Sequence, residues 1–596
     1  MPKTKFTSDK VKDMNKTLKR TWGYLKKYKV QLILVFVFIV LSILFSTISS
    51  FMLSPIIDDY IVPMIENPKN SDYFNGLITQ LIYLTCSAIL GSIFTYFQYK
   101  TMAKVASYTV KDMRQDLFDK IEKLPVKFFD KHEHGELMSR ITNDLDNVTM
   151  ALNTCLDNIV SSTLNIIIAL IVMFTINKQL TIISFVTIPV VILVSKIITD
   201  HTKKQYVVQQ KCLGELNGFI DEYISGQKVI KAFNREDETL EKFDEYNKKL
   251  RKEGFKAQAY GGVIMPVMGS IANLSNAVTY VLAGLFAIKG KISIGSIVAF
   301  TKFAGQYTYP ITEMSQQIPT IQQALAGAER MFEIIDEEVE FADSINKKAL
   351  NDVKGLVEFK HVSFGYDKKE ILHDINIKAT PGQTIALVGP TGAGKTTIIN
   401  LLTRFYDVTK GEITIDGNNI KDVNFYSLRE NLGIVLQDTV LFSNTIMENI
   451  RYGKLDATDE EVISAAKIAN AHAFIEKLPD KYNTVLNEGS SNISVGQRQL
   501  LNIARVILNN PKIIILDEAT SNVDTRTEVK IQEAMESLMK GRTSFVIAHR
   551  LSTIKNADKI LVINDGKIVE EGKHEELLNK KGMYYEMYTG MFSEEE

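Results

Sequence analysis

Residues 30–53 read VQLILVFVFIVLSILFSTISSFML, without a single charged side chain. A soluble core helix of that length would carry a polar stripe. At helical rise these 24 residues make a rod of ~36 Å, enough to cross the hydrocarbon of a bilayer. Comparable apolar runs follow at residues 77–97, 159–176, 180–195, 262–288 and 292–311, the last weakened by Lys302. The pattern therefore predicts six spanning helices. Outside the runs the spacing is uneven. Asn177-Lys178-Gln179 and Lys289-Gly290-Lys291 are tight connections, whereas residues 98–158 and 196–261 are long and charged. Val105, Val110, Met113, Leu117 and Ile121 recur at helical steps in the first of these, so the helices are expected to continue well past the membrane.

The pattern changes after residue 337. A short polar stretch, 338–354, leads into strands alternating with helices, which divides the chain into four parts. Residues 1–29 form a basic leader with an interfacial elbow around Trp22 and Tyr24, and residues 30–337 a six-helix membrane domain with two long inside loops. Residues 338–354 are a linker, and residues 355–596 an α/β domain. The first 29 residues hold ten Lys and Arg, while Asp58, Asp59, Glu66 and Asp72 follow the first span. This bias places the N-terminus in the cytoplasm, and an even number of spans returns the C-terminal half there. The basic region and apolar run are both too long for a cleaved signal peptide.

Composition adds exclusions. With Lys+Arg 69 against Asp+Glu 70 the net charge is -1, which argues against nucleic acid as a partner. The mean hydropathy of -0.01 is the average of an apolar half and a polar half. Cys86, Cys155 and Cys212 are too few and too scattered for a disulfide framework or a zinc site. Lysine outnumbers arginine, and Ile and Asn are plentiful, a bias expected of an AT-rich bacterial genome and hence of a bacterial plasma (inner) membrane.

The chemistry lies in the second half. A buried strand expected at residues 385–388 empties into Gly389-Pro390-Thr391-Gly392-Ala393-Gly394-Lys395-Thr396-Thr397 and then an apolar helix. This is the phosphate-loop pattern GxxxxGK[ST] in its strand–loop–helix setting. Its backbone amides can curl around a phosphate, Lys395 adds a positive charge, and Thr396 offers a hydroxyl to Mg²⁺. Downstream, Ile513-Ile514-Ile515-Leu516 is an apolar strand ending in Asp517-Glu518. Asp517 is expected to face the metal and Glu518 the attacking water, whose proton it would accept. ATP and Mg²⁺ are the cofactors this set requires.

Between those motifs, Asn492-Ile493-Ser494-Val495-Gly496-Gln497-Arg498-Gln499 resembles the LSGGQ signature that defines ATP-binding cassette (ABC) proteins. The resemblance extends to Tyr366, similar to the aromatic that stacks on adenine, and to Gln437, similar to the catalytic-site glutamine that reaches Mg²⁺ and the membrane domain. Residues 521–524 resemble the D-loop, and His549 the switch histidine that contacts the γ-phosphate. Leu124–Asp130 followed by Gly135–Arg140 and Asn143-Asp144 looks like the first coupling helix and the start of the third span of the exporter branch, and Gly226–Glu236 looks like the second coupling helix.

What this resemblance implies is an ABC exporter half-transporter of the multidrug type. Its membrane domain would be fused to a P-loop nucleotide-binding domain, and ATP hydrolysis would drive alternating access. The nucleotide sites of this family are shared between two cassettes, so Ser494, Gly496 and Gln497 would lie on ATP held by a second subunit. In this chain Ile493 and Val495 replace the usual leucine and glycine. A β-branched residue restricts the backbone and adds bulk there, which favours a heterodimer with one hydrolytic and one altered site over a homodimer. Amphipathic small molecules are the expected cargo, with lipid or peptide export by a homodimer as an alternative and a membrane-anchored ATPase without transport as a third reading. Asp157, Lys302 and Glu313, with Gln98 and Tyr307 nearby, are the polar side chains inside spans that either contact cargo or pair with one another.

Overall fold

The computed structural model describes residues 13–66, 71–185, 187–340, 347–366, 369–437, 439–517, 524–548 and 554–592. These form two compact units. One runs to Glu122 and resumes at His134–Glu337; the other comprises Lys123–Glu133 and the chain from Glu338 onward.

The first unit is helical. After Met14–Leu25, whose N-terminus is capped by Asp13, come Lys29–Phe51, Ser71–Ile121 and Asp157–Ile176. Lys178–Phe185 and Thr187–Ser225 flank residue 186, followed by Glu236–Gly262, Ile264–Ile288 and Ile294–Asp336. Each of the six apolar runs is thus helical over its described residues except Met52, Val263, Ile292 and Ser293. Four helical stretches, Met14–Glu66, Ser71–Ile121, His134–Ile176 and Gly269–Ile288, are long and apolar enough by themselves to cross a membrane. Ser71–Ile121 has 51 residues, ~76 Å at helical rise, more than twice a hydrocarbon core.

Packing among these helices follows side-chain size. Gly91 lets its helix approach Phe45, and hydroxyl pairs Ser42–Thr95 (2.7 Å) and Ser49–Ser87 (2.6 Å) tie the first two spanning helices together. A second cluster of Ala169, Met173, Leu180, Ala283, Phe300, Phe303 and Ala304 joins the later ones. Wide helical turns at Arg140–Asp144 and Ala151–Leu156 interrupt the regular ladder just before Asp157, and such bulges re-aim the side chains around them.

The second unit carries two sheets. β1 (Val357–Phe364), β2 (Leu372–Ala379), β4 (Lys410–Ile415) and the short β5 (Asn418–Asn419) form an antiparallel sheet in the order β2-β1-β4-β5. The six-stranded sheet contains β3 (Thr384–Val388), β6 (Leu432–Val435), β7 (Ile513–Asp517), β8 (Thr543–Ile547), β9 (Lys559–Asn564) and β10 (Lys567–Gly572), ordered β10-β9-β3-β8-β7-β6. All its pairings are parallel except β9–β10. Parallel strands are buried on both faces, which is why Ile513–Leu516 and Thr543–Ile547 are continuously buried. One core fills the space between the sheets. Another packs the far side of β7 against the helices around Leu500–Ala504.

Candidate functional site

Parallel order brings the C-terminal ends of β3, β8 and β7 to one edge. Ile547 on β8 is registered with Leu387 on one side and Asp517 on the other, so the exit of β3 and the carboxylate closing β7 are about 10 Å apart at sheet spacing. Open parallel sheets bind ligands at this edge.

From β3 the chain turns through Gly389–Gly394 into the helix Lys395–Leu402. Gly394 is the N-cap with φ +106°, and a Cβ there would meet Leu372 Cδ2 at 2.6 Å. Only glycine fits that position. Ala393 N donates to Pro390 O (3.2 Å) and Gly566 N to Ala393 O (3.2 Å), fixing the loop from inside and outside. The Lys395 ammonium folds back over the loop and donates to the carbonyls of Gly389 (2.7 Å) and Pro390 (2.9 Å). Lys395 is 8% exposed. Burial pushes its ammonium below the ordinary lysine range, and the Asp517 carboxylate pulls it partly back. Pro390, Thr391, Gly392 and Thr396 are exposed, whereas Thr397 is buried.

Glycine backbone, a helix N-terminus and one lysine make a cradle for phosphate. Magnesium fits it too. The exposed Thr396 hydroxyl and the exposed Gln437 amide are hard oxygen donors, as is Asp517 at its strand end. Among the described residues no cluster of three His, Cys, Asp or Glu side chains occurs, so phosphate oxygens and water would complete the shell. Glu518, His549 and residues 521–523 lie outside the described residues. Asp524, the last residue of the D-loop-like stretch, caps the helix Thr525–Met539 by accepting from Thr527 N.

Tyr366 is anchored rather than loose. Its hydroxyl accepts from Asn400 Nδ2 (3.2 Å) and lies 3.4 Å from Thr397 Oγ1, both on the helix after the loop. Its ring stands edge-on to Phe364 and to Tyr406, with centroids 5.0 and 4.8 Å away. Tyr406 in turn donates to Asp130, which belongs to Lys123–Glu133, the short membrane-half segment that clusters with this unit. Within that segment Pro125 starts the helix Val126–Lys131, and Lys123 O accepts from Glu340 N (2.9 Å). Glu340 meets Arg429 at 3.0 Å, and Arg429 lies over the Phe425 and Phe405 rings. Burial pushes the Glu340 carboxyl up and the Arg429 guanidinium down despite their mutual attraction. Sequence reasoning missed Tyr406, Asn400, Glu340 and Arg429. They stand in no local motif, and only the tertiary fold brings them together.

The signature segment sits at the start of the helix Val495–Asn509. Ser494 is its N-cap and forms a reciprocal capping box with Gln497: Ser494 Oγ accepts from Gln497 N (3.2 Å), and Gln497 Oε1 from Ser494 N (2.9 Å). Gly496 is buried, as is Ile493, which packs in the core. The isoleucine therefore keeps the apolar role of the usual leucine. Val495 is 42% exposed.

Comparison with known families decides the identity of this arrangement. Residues 32–311 match the ABC transporter transmembrane region, and residues 372–521 match the ABC transporter family. The chain belongs to the ABC transporter family. It is 47% identical over 584 residues to the uncharacterized ABC transporter ATP-binding protein YfiC of Bacillus subtilis (strain 168), covering 98% of this chain and 95% of that one. It is 41% identical to a fatty acid ABC transporter ATP-binding/permease protein of Mycobacterium bovis, covering 84% and 79%. To YgaD of Bacillus subtilis, a putative multidrug export ATP-binding/permease protein, identity is 38% over 96% and 99%.

This ABC transporter is accordingly an exporter-type half-transporter, an ATP-binding ATPase coupled to transport, with a membrane-spanning helical domain and an α/β cassette. In the membrane domain, Asp157 and Gln98 are paired with each other, and Glu313 with Asn158. The side chain of Tyr307 lies outside the described residues.

Proposed function

We propose that the chain is one subunit of a dimeric, heterodimeric exporter that moves amphipathic compounds across a bacterial plasma membrane, with its N-terminus and cassette in the cytoplasm. The observation that carries the dimer is the surface around the signature. The Ser494 hydroxyl caps its own helix, and an apolar Val495 beside it points outward, an arrangement suited to covering a nucleotide on a second cassette. A further exposed apolar tip supports a partner. Val229 on the short helix Gln227–Ala232 is exposed, as are Ile224 before it and Phe233 (72% exposed) after it.

In this reading the phosphate-loop amides of residues 389–397 and Lys395 hold the phosphates of ATP, and Tyr366 lies against adenine. Thr396, Gln437 and Asp517 hold Mg²⁺, which would neutralise phosphate charge when bound. Glu518 orients water and takes its proton, and His549 contacts the terminal phosphate. Ser494, Gly496 and Gln497 serve the nucleotide of the partner. ATP binding favours one membrane state and its hydrolysis the other, to the extent that the two states bind nucleotide with different affinity.

A homodimeric lipid exporter is the second reading. It is favoured by the intact capping box around Val495, which indicates that valine is tolerated, and by the fatty acid relative. Purifying the chain alone and measuring ATP hydrolysis separates the two. The heterodimer predicts weak turnover that a second, co-expressed subunit restores. Vigorous, substrate-stimulated turnover by the chain alone would establish the homodimer instead.

A further inference from the structure

Within the cassette unit, the polar stretch 338–354 grips the short helix Phe425–Glu430 at several points. Lys348 O accepts from the N–H of Asn424 (2.8 Å), the residue that caps this helix, and Lys348 bridges to Val423 in parallel. Lys347 Nζ adds a bond to Lys421 O (2.7 Å). Leu350, buried in the core, donates its N–H to Ser427 Oγ (2.9 Å), and its carbonyl accepts from Asn431 Nδ2 (3.3 Å). Earlier in the stretch Glu340, whose side chain is 11% exposed, meets Arg429 at 3.0 Å. The Arg429 guanidinium lies 3.7 Å from the centroid of the Phe425 ring, so both ends of the helix are held.

The gripped helix runs directly into β6. Asn431, the residue before Leu432, accepts with its carbonyl from Lys512 N (3.2 Å) and Ile513 N (3.1 Å) at the start of β7. The parallel register then continues from Leu432–Ile513 to Val435–Leu516. Gln437 and Asp517 therefore leave neighbouring strands at one edge, where strand spacing is about 4.8 Å. β6 has only four residues, and three of them are buried. Buried backbone has to keep its ladder hydrogen bonds, and close-packed surroundings transmit a displacement instead of absorbing it. What moves the start of β6 moves Gln437.

We infer that the stretch 338–354 is a strap that sets the position of Gln437, with Arg429 as the positioning residue and Glu340 as its anchor. The contacts of residues 348–350 are backbone bonds and fix the strap in place. The Glu340–Arg429 pair is of another kind. Desolvation offsets much of the attraction in a shielded ion pair, and the best-attested use of such a pair is to fix register. Glu340 N also donates to Lys123 O (2.9 Å), so a shift of the Lys123–Glu133 segment acts on the same pair. The effect on catalysis depends on Gln437 holding Mg²⁺, the role proposed for it above.

The test is Mn²⁺ binding to full-length Glu518→Gln protein loaded with stoichiometric ATP, read from the EPR signal of free Mn²⁺ without turnover. Gln437→Ala sets the reference. Arg429→Gln and Glu340→Gln should each weaken Mn²⁺ binding about three- to tenfold, somewhat less than the loss of a direct partner of a metal ligand, with ATP affinity in EDTA kept within about twofold. Glu340→Gln preserves shape and every backbone bond, and it decides the matter where Arg429→Gln fails to fold. Added to Gln437→Ala, Arg429→Gln should cause no further loss, because it acts only through that side chain. Parental Mn²⁺ affinity in both strap variants, with Gln437→Ala weakened, overturns the inference and leaves Gln437 its role. A parallel fall of ATP affinity in EDTA, or a further loss in the Gln437→Ala background, also overturns it, since the pair would then be merely structural or act elsewhere. Unchanged Mn²⁺ binding by Gln437→Ala removes the metal role of Gln437 and the strap's effect with it.

Discussion

The hydroxyl of Tyr406 donates to the carboxylate of Asp130. Tyr406 belongs to the cassette and Asp130 to the Lys123–Glu133 segment that interrupts the membrane-half helices. From Tyr406 the contact continues through the edge of the Tyr366 ring to Asn400, on the helix that follows the phosphate loop. A short run of packed groups therefore joins the Lys123–Glu133 segment to the nucleotide loop. Spatial continuity alone does not establish energetic coupling, so this path has to be tested by substitution.

Tyr406→Phe keeps the ring contacts and deletes only the hydroxyl. Basal ATP hydrolysis should remain within about twofold of the parent, while the increment caused by transported compound falls severalfold, since a hydrogen bond to a charged acceptor is worth about 1.5–3 kcal/mol. Asp130→Asn should act in the same direction. The double variant should be no worse than either single one, because both remove one interaction. Additive losses in ATPase stimulation would show that the two residues act separately.

Within the site, Glu518→Gln should lower hydrolysis by ~10²–10⁴-fold, the usual contribution of a general base, while nucleotide binding persists in an equilibrium filter assay. Lys395→Ala and Gly394→Ala should instead weaken binding itself. The first removes a charge. The second forces a Cβ towards Leu372 at a left-handed backbone position. A Glu518→Gln protein that hydrolyses normally would remove Glu518 from the mechanism.

Burial holds the Lys395 ammonium below the ordinary lysine value of 10.5. The lowered group loses its proton earlier than a free lysine as pH rises, and bound phosphate favours the protonated form. ATP affinity should therefore be full at neutral pH and fall on the alkaline side, as pH passes through that lowered value. Proton uptake should accompany binding in the same window. Calorimetry in buffers of different ionisation enthalpy measures this uptake, and Lys395→Met should eliminate it.

In the membrane half, Arg330 grips Asp144 with two bonds, Nε–Oδ2 at 2.9 Å and Nη2–Oδ1 at 2.5 Å. Asp144 is buried and Arg330 partly exposed. Arg330→Ala leaves a buried carboxylate without its cation, at a cost of about 3 kcal/mol. A thermal unfolding midpoint several degrees lower is expected, and Arg330→Lys should recover only part of it because a lysine cannot fork.

The two halves were legible in the sequence to different depths. An uncharged run such as 30–53 has few folds open to it, and the phosphate loop states its own chemistry through glycine spacing and Lys395, so both were found from local pattern. Ile493 appeared as a departure until its burial showed that only an apolar side chain is required there. The pairing of Gln98 with Asp157 could not be read from residues 59 apart, nor could Tyr406 be tied to Asp130. Such contacts depend on helix rotation and tertiary register, which hydrophobic period constrains only to a face. Lys302 stood out in the sequence as a charge within a span, and the structure adds that it lines a cavity.

The central claim is that ATP hydrolysis at this cassette drives export. It is tested most directly by the accumulation of an amphipathic fluorescent compound in inverted membrane vesicles carrying the chain, compared with vesicles carrying Glu518→Gln. The account predicts ATP-dependent accumulation in the first and only the ATP-independent background in the second. Equal accumulation in both would contradict transport powered by this site.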